Sequence, residues 1–116
     1  MKVGEQTITL GHDDPDELCP IVLALDVIGT KWTFFILREL LIEGTRRFGD
    51  LLKSLDGISP KTLSIRLREL EDRGIVSRTV YAEVPPRVEY TLTDLGKRLE
   101  GIFLELKRFG ILLEEK

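Results

Sequence analysis

An α+β fold, predominantly helical, is what this sequence predicts, and three observations carry that expectation. Residues 60–73 read as a capped, basic helix with Leu63, Leu67 and Leu70 on one face. Residues 75–81 and 88–92 read as two strands joined through Glu83-Val84-Pro85-Pro86-Arg87. Beyond them, Leu95, Leu99, Ile102, Leu106, Phe109 and Leu113 are spaced 4, 3, 4, 3 and 4 residues apart, the pattern of a coiled-coil-like seam.

Each element has its own local reason. Residues 1–18 are polar and acidic with little periodicity, which predicts a flexible N-terminal arm. Pro20 suits the first position of a helix on which Ile21, Leu25 and Ile28 share a face, and Gly29 stops it. Thr30 is placed to cap a helix over residues 31–42, whose Trp32, Phe34, Phe35, Ile36, Leu37, Leu40 and Leu41 surround nearly its whole girth. A helix apolar all round belongs at the centre of a fold. Gly44 ends it, and Thr45-Arg46-Arg47 is an extended link able to pair with the hairpin. A short helix over residues 50–55 follows, with Gly49 at its cap position and Asp50 at its positive end. The turn Asp56-Gly57-Ile58 leads to Ser59-Pro60, a serine cap and a proline at the first helical position. Two helices joined by such a turn and followed by a hairpin make a helix-turn-helix (residues 50–73) with a wing (residues 75–91). In the second strand Val88, Tyr90 and Leu92 alternate with Glu89 and Thr91, as on a half-buried sheet. Thr93 caps a final helix expected to run unbroken over residues 93–115. Its seam can cover the core of one chain, while Phe103, Leu104, Ile111 and Leu112 add apolar surface that asks for a partner. The expectation is a two-fold dimer built on the N- and C-terminal helices through Ile21, Leu25, Leu99, Ile102, Phe103, Leu106, Phe109 and Leu113.

Composition narrows the function. The 116 residues suffice for a single domain with its own core, and 42% hydrophobic with 32% charged residues is an ordinary globular balance. No apolar run reaches membrane-spanning length and the first residues lack the layout of a secretion signal, so the expected compartment is cytoplasmic. One cysteine excludes an intrachain disulfide and a cysteine-based zinc site. The net charge is −3, but the charge is segregated. Residues 1–18 set Lys2 against Glu5, Asp13, Asp14, Asp16 and Glu17, a net of −4. Residues 44–80 set eight arginines and lysines against five acids, a net of +3. A local basic face on an acidic chain suits a selective binder of double-stranded DNA better than a general DNA coat.

Steps of 100° from Leu63 put Lys61, Ser64, Ile65 and Arg68 opposite the leucine stripe, where they would face the major groove. Arg68 has the fork that grips the two acceptors of a guanine edge, and Ile65 offers only methyl contact. Ser59, Thr62 and Arg66 flank that face as candidate phosphate contacts. The bland alternative pairs Arg66 and Arg68 with Glu69 and Asp72 along the helix. Arg87 follows two prolines and is expected to be held outward toward a narrow minor groove. Arg46, Arg47 and Arg78 are further candidates for the sugar-phosphate backbone.

These segments resemble a known family. Cys19-Pro20, Gly29-Thr30-Lys31-Trp32, Ile36-Leu37-Arg38-Glu39-Leu40, Arg46-Arg47-Phe48, Gly57-Ile58-Ser59 and Leu67-Arg68-Glu69-Leu70-Glu71 occur in order, followed by Val84-Pro85-Pro86-Arg87-Val88-Glu89-Tyr90 and Leu92-Thr93-Asp94-Leu95-Gly96. Over residues 19–116 the chain resembles HxlR-type winged-helix transcriptional regulators of the MarR-like group. The resemblance implies a homodimer, a recognition helix over residues 60–73 and a palindromic operator, with repression expected over activation. It also implies sensing of oxidants or electrophiles by Cys19. Physically, a cysteine ahead of Pro20 sits at a helix N-terminus that favours thiolate, while Asp16 and Glu17 oppose it. Ile65 stands where the family often has a polar residue such as glutamine.

Other chemistry finds little support. His12-Asp13-Asp14 is too sparse a set for a metal site. There is no glycine-rich phosphate loop and no triad around a single histidine, so no catalytic residue, metal or cofactor is expected. The rival readings are a winged helix that binds protein, and a small-molecule or oxidant sensor with no direct DNA role.

Overall fold

The computed structural model describes residues 2–3, 6–8, 10–11 and 19–115. Two short strands, β1 (Lys2–Val3) and β2 (Gln6–Thr7), pair antiparallel where the sequence predicts only a loose arm. Then come α1 (Pro20–Ile28), α2 (Lys31–Glu43), β3 (Arg46–Arg47), α3 (Phe48–Ser54), α4 (Pro60–Asp72), β4 (Val76–Tyr81), β5 (Arg87–Leu92), α5 (Asp94–Lys97) and α6 (Leu99–Glu114). The second sheet is antiparallel in the order β3-β5-β4. Arg46 lies opposite Tyr90 and Arg47 opposite Glu89, so the link before α3 does pair with the wing.

The core is a plug of leucine and isoleucine around α2, as its all-round apolar pattern predicts. Ile36, Leu37 and Leu40 meet Leu51 and Leu55, Leu63, Leu67 and Leu70, and Ile75, Val76, Tyr90 and Leu92 from the sheet. Three leucines of α4 are therefore fixed on their inner side, which orients the opposite side of that helix.

Both ends of α4 are specified locally. Ser59 Oγ accepts the Thr62 N–H at 3.1 Å, and Pro60 occupies the first turn. At the far end Gly74 N–H donates to Glu71 O and Ile75 N–H donates to Leu70 O, each at 3.0 Å. This paired closure needs a left-handed residue, supplied by Gly74 at φ +74°, and it delivers Ile75 into the core.

Several local expectations are corrected. Thr30 occupies the N-cap position of α2, but its hydroxyl bonds to Thr33 Oγ1 at 2.7 Å instead of a backbone N–H; Thr33 is buried and gains its partner there. The first motif helix starts at Phe48, and Arg47 is its cap residue in place of Gly49. Asp50 accepts the Arg47 N–H at 3.1 Å, which fixes that start. The final helix is two helices, broken at Arg98. Thr93 does cap the first, with its Oγ accepting Gly96 N–H at 3.1 Å. The inward position of α5 is taken by Gly96, where a Cβ would lie 2.3 Å from Ile75 O. Only glycine permits that approach. Leu95 is consequently turned outward, 55% exposed, and leaves the predicted seam.

Leu99 and Phe103, expected at a dimer interface, pack instead against the core of their own chain, with Phe103 stacked on Phe34 at 4.3 Å. Neither α1 nor α6 has a buried residue. Ile21, Leu25, Ile102, Leu106, Phe109 and Leu113 are all exposed. No single helix among the described residues is long and apolar enough to cross a membrane.

Candidate nucleic-acid interface

The outer face of α4 carries Lys61, Ser64, Ile65 and Arg68, all exposed, directly opposite the buried Leu63, Leu67 and Leu70. Ile65, 45% exposed, is an apolar patch between cations. Beside them, Ser64 and Arg68 share a shallow recess of about 300 Å³ with Glu71, Arg78 and Tyr90. The sheet thus brings Arg78 of β4 up to the helix, a juxtaposition that Arg78's opposition to the buried Tyr90 fixes. Among the described residues Lys61, Arg68, Arg78 and Arg47 form no ion pair, and Arg47 is exposed at the start of α3.

The flanks are more committed. Thr62 Oγ1 accepts from the Ser59 hydroxyl at 2.9 Å, so both are partly used in capping. Arg66 is half-buried and pairs with Glu69 at 3.2 Å, along the helix. The pairing foreseen as the bland alternative is therefore realised at Arg66 and not at Arg68.

Two expected cationic contacts are corrected. Arg46 lies between Glu39, 3.5 Å from its Nη2, and Ser54, whose Oγ accepts from the same nitrogen at 2.9 Å. It joins α2 to α3 across the strand and is not held out to a ligand. Arg87 does not project from the wing. Its guanidinium lies over the Tyr81 ring at 4.0 Å, with Glu83 at 3.4 Å from Nη1 and Glu89 at 3.4 Å from Nε. The Nε contact lacks hydrogen-bonding geometry, so it is an ion pair only. Register explains the trap: Tyr81 lies opposite Arg87, and Glu89 is two residues along the same face of β5.

Sequence reasoning missed one link. Arg73, just past α4, pairs with Asp26 of α1. Residues 47 positions apart carry no local signal of that contact. Cys19 is half-buried at the N-cap position of α1, with no side-chain capping bond. His12, Asp13 and Asp14 lie outside the described residues, and among the described ones no group of three or more histidine, cysteine or acidic side chains could hold a metal.

With this geometry in hand, comparison with known proteins is specific. The HxlR-like helix-turn-helix family matches residues 27–116. The HTH-type transcriptional regulator sll1512 of Synechocystis is 46% identical over 107 residues, covering 89% of this chain and 78% of the relative. Among solved structures, the redox regulator HypR in its oxidised form is similar with TM-score 0.72 and 44% identity, over 79% of this chain and 94% of its own. A MarR-family regulator from Enterococcus faecalis is similar with TM-score 0.75 and 39% identity, over 90% and 96%.

Proposed function

This chain belongs to the HxlR-like helix-turn-helix family, and from that premise we propose a cytoplasmic homodimeric repressor that reads a palindromic operator through α4. The observation that carries the reading is the outer face of α4, where Lys61, Ser64, Ile65 and Arg68 stand free beside Arg78 over a leucine-fixed inner face. Arg68 reads a base edge, Ile65 contacts a thymine methyl, and Lys61, Arg78 and Arg47 hold phosphates. Selection of bound sequences from a random DNA pool tests this, together with a salt titration on mixed-sequence duplex. A palindromic consensus and a steep fall of affinity with salt are expected. A flat salt dependence would favour the protein-binding alternative.

The dimer reading rests on α1 and α6, which have no fully buried residue within one chain and leave Ile21, Leu25, Ile102, Leu106, Phe109 and Leu113 exposed. An isologous pairing of their apolar faces would set two α4 helices into successive major grooves, roughly 34 Å apart. Phe109, 61% exposed on α6, is the sharpest probe. Phe109→Asp should shift the sedimenting species from dimer to monomer, and a wild-type chain that sediments as monomer contradicts the reading.

Cys19 is assigned the effector role. Its support is the likeness to the redox regulator HypR and its place at the start of α1, whose Asp26 is tied to Arg73 at the end of the reading helix. Oxidant should release DNA from the wild type and not from Cys19→Ser; equal release from both excludes Cys19 as the sensor.

A further inference from the structure

One acid stands among the cations of the outer face of α4. Glu71 is exposed and lines the recess of about 300 Å³ together with Ser64, Arg68, Arg78 and Tyr90. Among the described residues neither Glu71 nor the two arginines forms an ion pair. Arg68 and Glu71 are three positions apart, the same separation at which Arg66 and Glu69 do meet, at 3.2 Å. The closure of α4 uses only the Glu71 carbonyl, which accepts Gly74 N–H at 3.0 Å, so the carboxylate is uncommitted. Asp72, the next acid, points elsewhere. With 100° steps, Glu71 lies roughly 60° from Arg68 on the Ser64 side, and Asp72 roughly 40° away on the Ile65 side. Asp72 does not line the recess.

We infer that Glu71 is a positioning residue for base reading, its carboxylate holding the Arg68 guanidinium on a base edge once DNA closes over the recess. The inference rests on the base-reading role given to Arg68 above. An arginine without a partner keeps its rotamer freedom and takes a phosphate oxygen as readily as a base. Arg78, on the opposite wall of the recess, is already the phosphate contact there. Without a restraint, Arg68 would join it on the backbone and carry no sequence information. A guanidinium has more donors than a guanine edge uses, so a carboxylate can take the remainder without displacing the base. Docked DNA excludes water from the recess, which strengthens the attraction between Glu71 and Arg68.

Fluorescence anisotropy of the full chain on a selected operator, its single-base-pair variants and a random duplex tests this. Glu71→Gln should lower discrimination at the Arg68 base pair about fivefold to tenfold, with other positions unchanged. It should also bind random duplex severalfold tighter, because a negative charge is gone. Glu71→Asp keeps the charge but withdraws it by one methylene; it should lower the same discrimination without tightening random duplex. Asp72→Asn removes an equal charge from the same turn and should keep every base preference. In an Arg68→Ala background, Glu71→Gln should change no base preference. Circular dichroism confirms that each variant is folded. If Glu71→Gln tightens operator and random duplex equally, with the preference at that pair intact, Glu71 is only a repulsive charge and the inference fails. A loss of discrimination matched by Asp72→Asn overturns it as well. An Arg68→Ala variant that retains every preference removes the base-reading role itself, and the inference with it. A preference lost with Arg68→Ala but kept with Glu71→Gln sinks the inference alone.

Discussion

Helix α4 and the wing tip both offer an arginine in a sequence context that suggests DNA, yet they present it in opposite ways. Arg68 stands on a helix whose inner face is locked by three leucines, and no acid of the described chain pairs with it. Arg87 is 27% exposed in its side chain, laid on Tyr81 and bracketed by Glu83 and Glu89. On the helix Arg66 is taken by Glu69, while Arg68 forms no ion pair although Glu71 lines the same recess. The hairpin folds its acids onto its cation by register. Availability of a charge is therefore a property of packing geometry, and two arginines of equal formal charge are not equal as ligands.

Leu67→Ala removes a fully buried side chain under Arg68 and should destabilise the fold by about 2–5 kcal/mol, read by denaturant titration. A loss below about 1 kcal/mol would mean that α4 is not anchored as described. Ile65→Ala should leave folding stability nearly unchanged, because Ile65 is exposed, while weakening operator binding by about 1–2 kcal/mol through lost methyl contact. An unaffected operator affinity would remove Ile65 from the interface.

The smallest effect is expected at the wing. Arg87→Ala should barely alter the slope of log affinity against log salt, since two carboxylates already neutralise that guanidinium. Glu83→Gln combined with Glu89→Gln should steepen it by about one unit, the worth of one released phosphate contact. If Arg87→Ala flattens the slope by a full unit instead, the arginine leaves its acids on binding DNA.

Much of this arrangement was legible in the sequence, for physical reasons that differ by element. The outer face of α4 was readable because helical periodicity, a serine cap and Pro60 are all local signals, and the leucine stripe fixes the remaining side by subtraction. The pairing of Arg46 and Arg47 with the wing was readable from the extended link between two helix stops. The fates of Arg46 and Arg87 were not, because each depends on side chains brought together by tertiary or cross-strand contact. Glu39 and Ser54 reach Arg46 from two different helices, and Tyr81 reaches Arg87 only through the hairpin register. The seam beginning at Leu95 failed for a related reason. A heptad pattern cannot foresee that Gly96 must lie against Ile75 O, which rotates Leu95 outward and separates α5 from α6. The Asp26–Arg73 link likewise arises only when α1 lies beside the end of α4.

Binding to a selected operator and to its single-base-pair variants tests whether Arg68, on the free face of α4, reads a base. Arg68→Ala should cost about 1–3 kcal/mol on the operator and erase discrimination at one base pair per half-site, leaving the other positions as selective as before. Equal losses on operator and on random duplex, with every base preference intact, would reduce Arg68 to a phosphate contact and contradict the account.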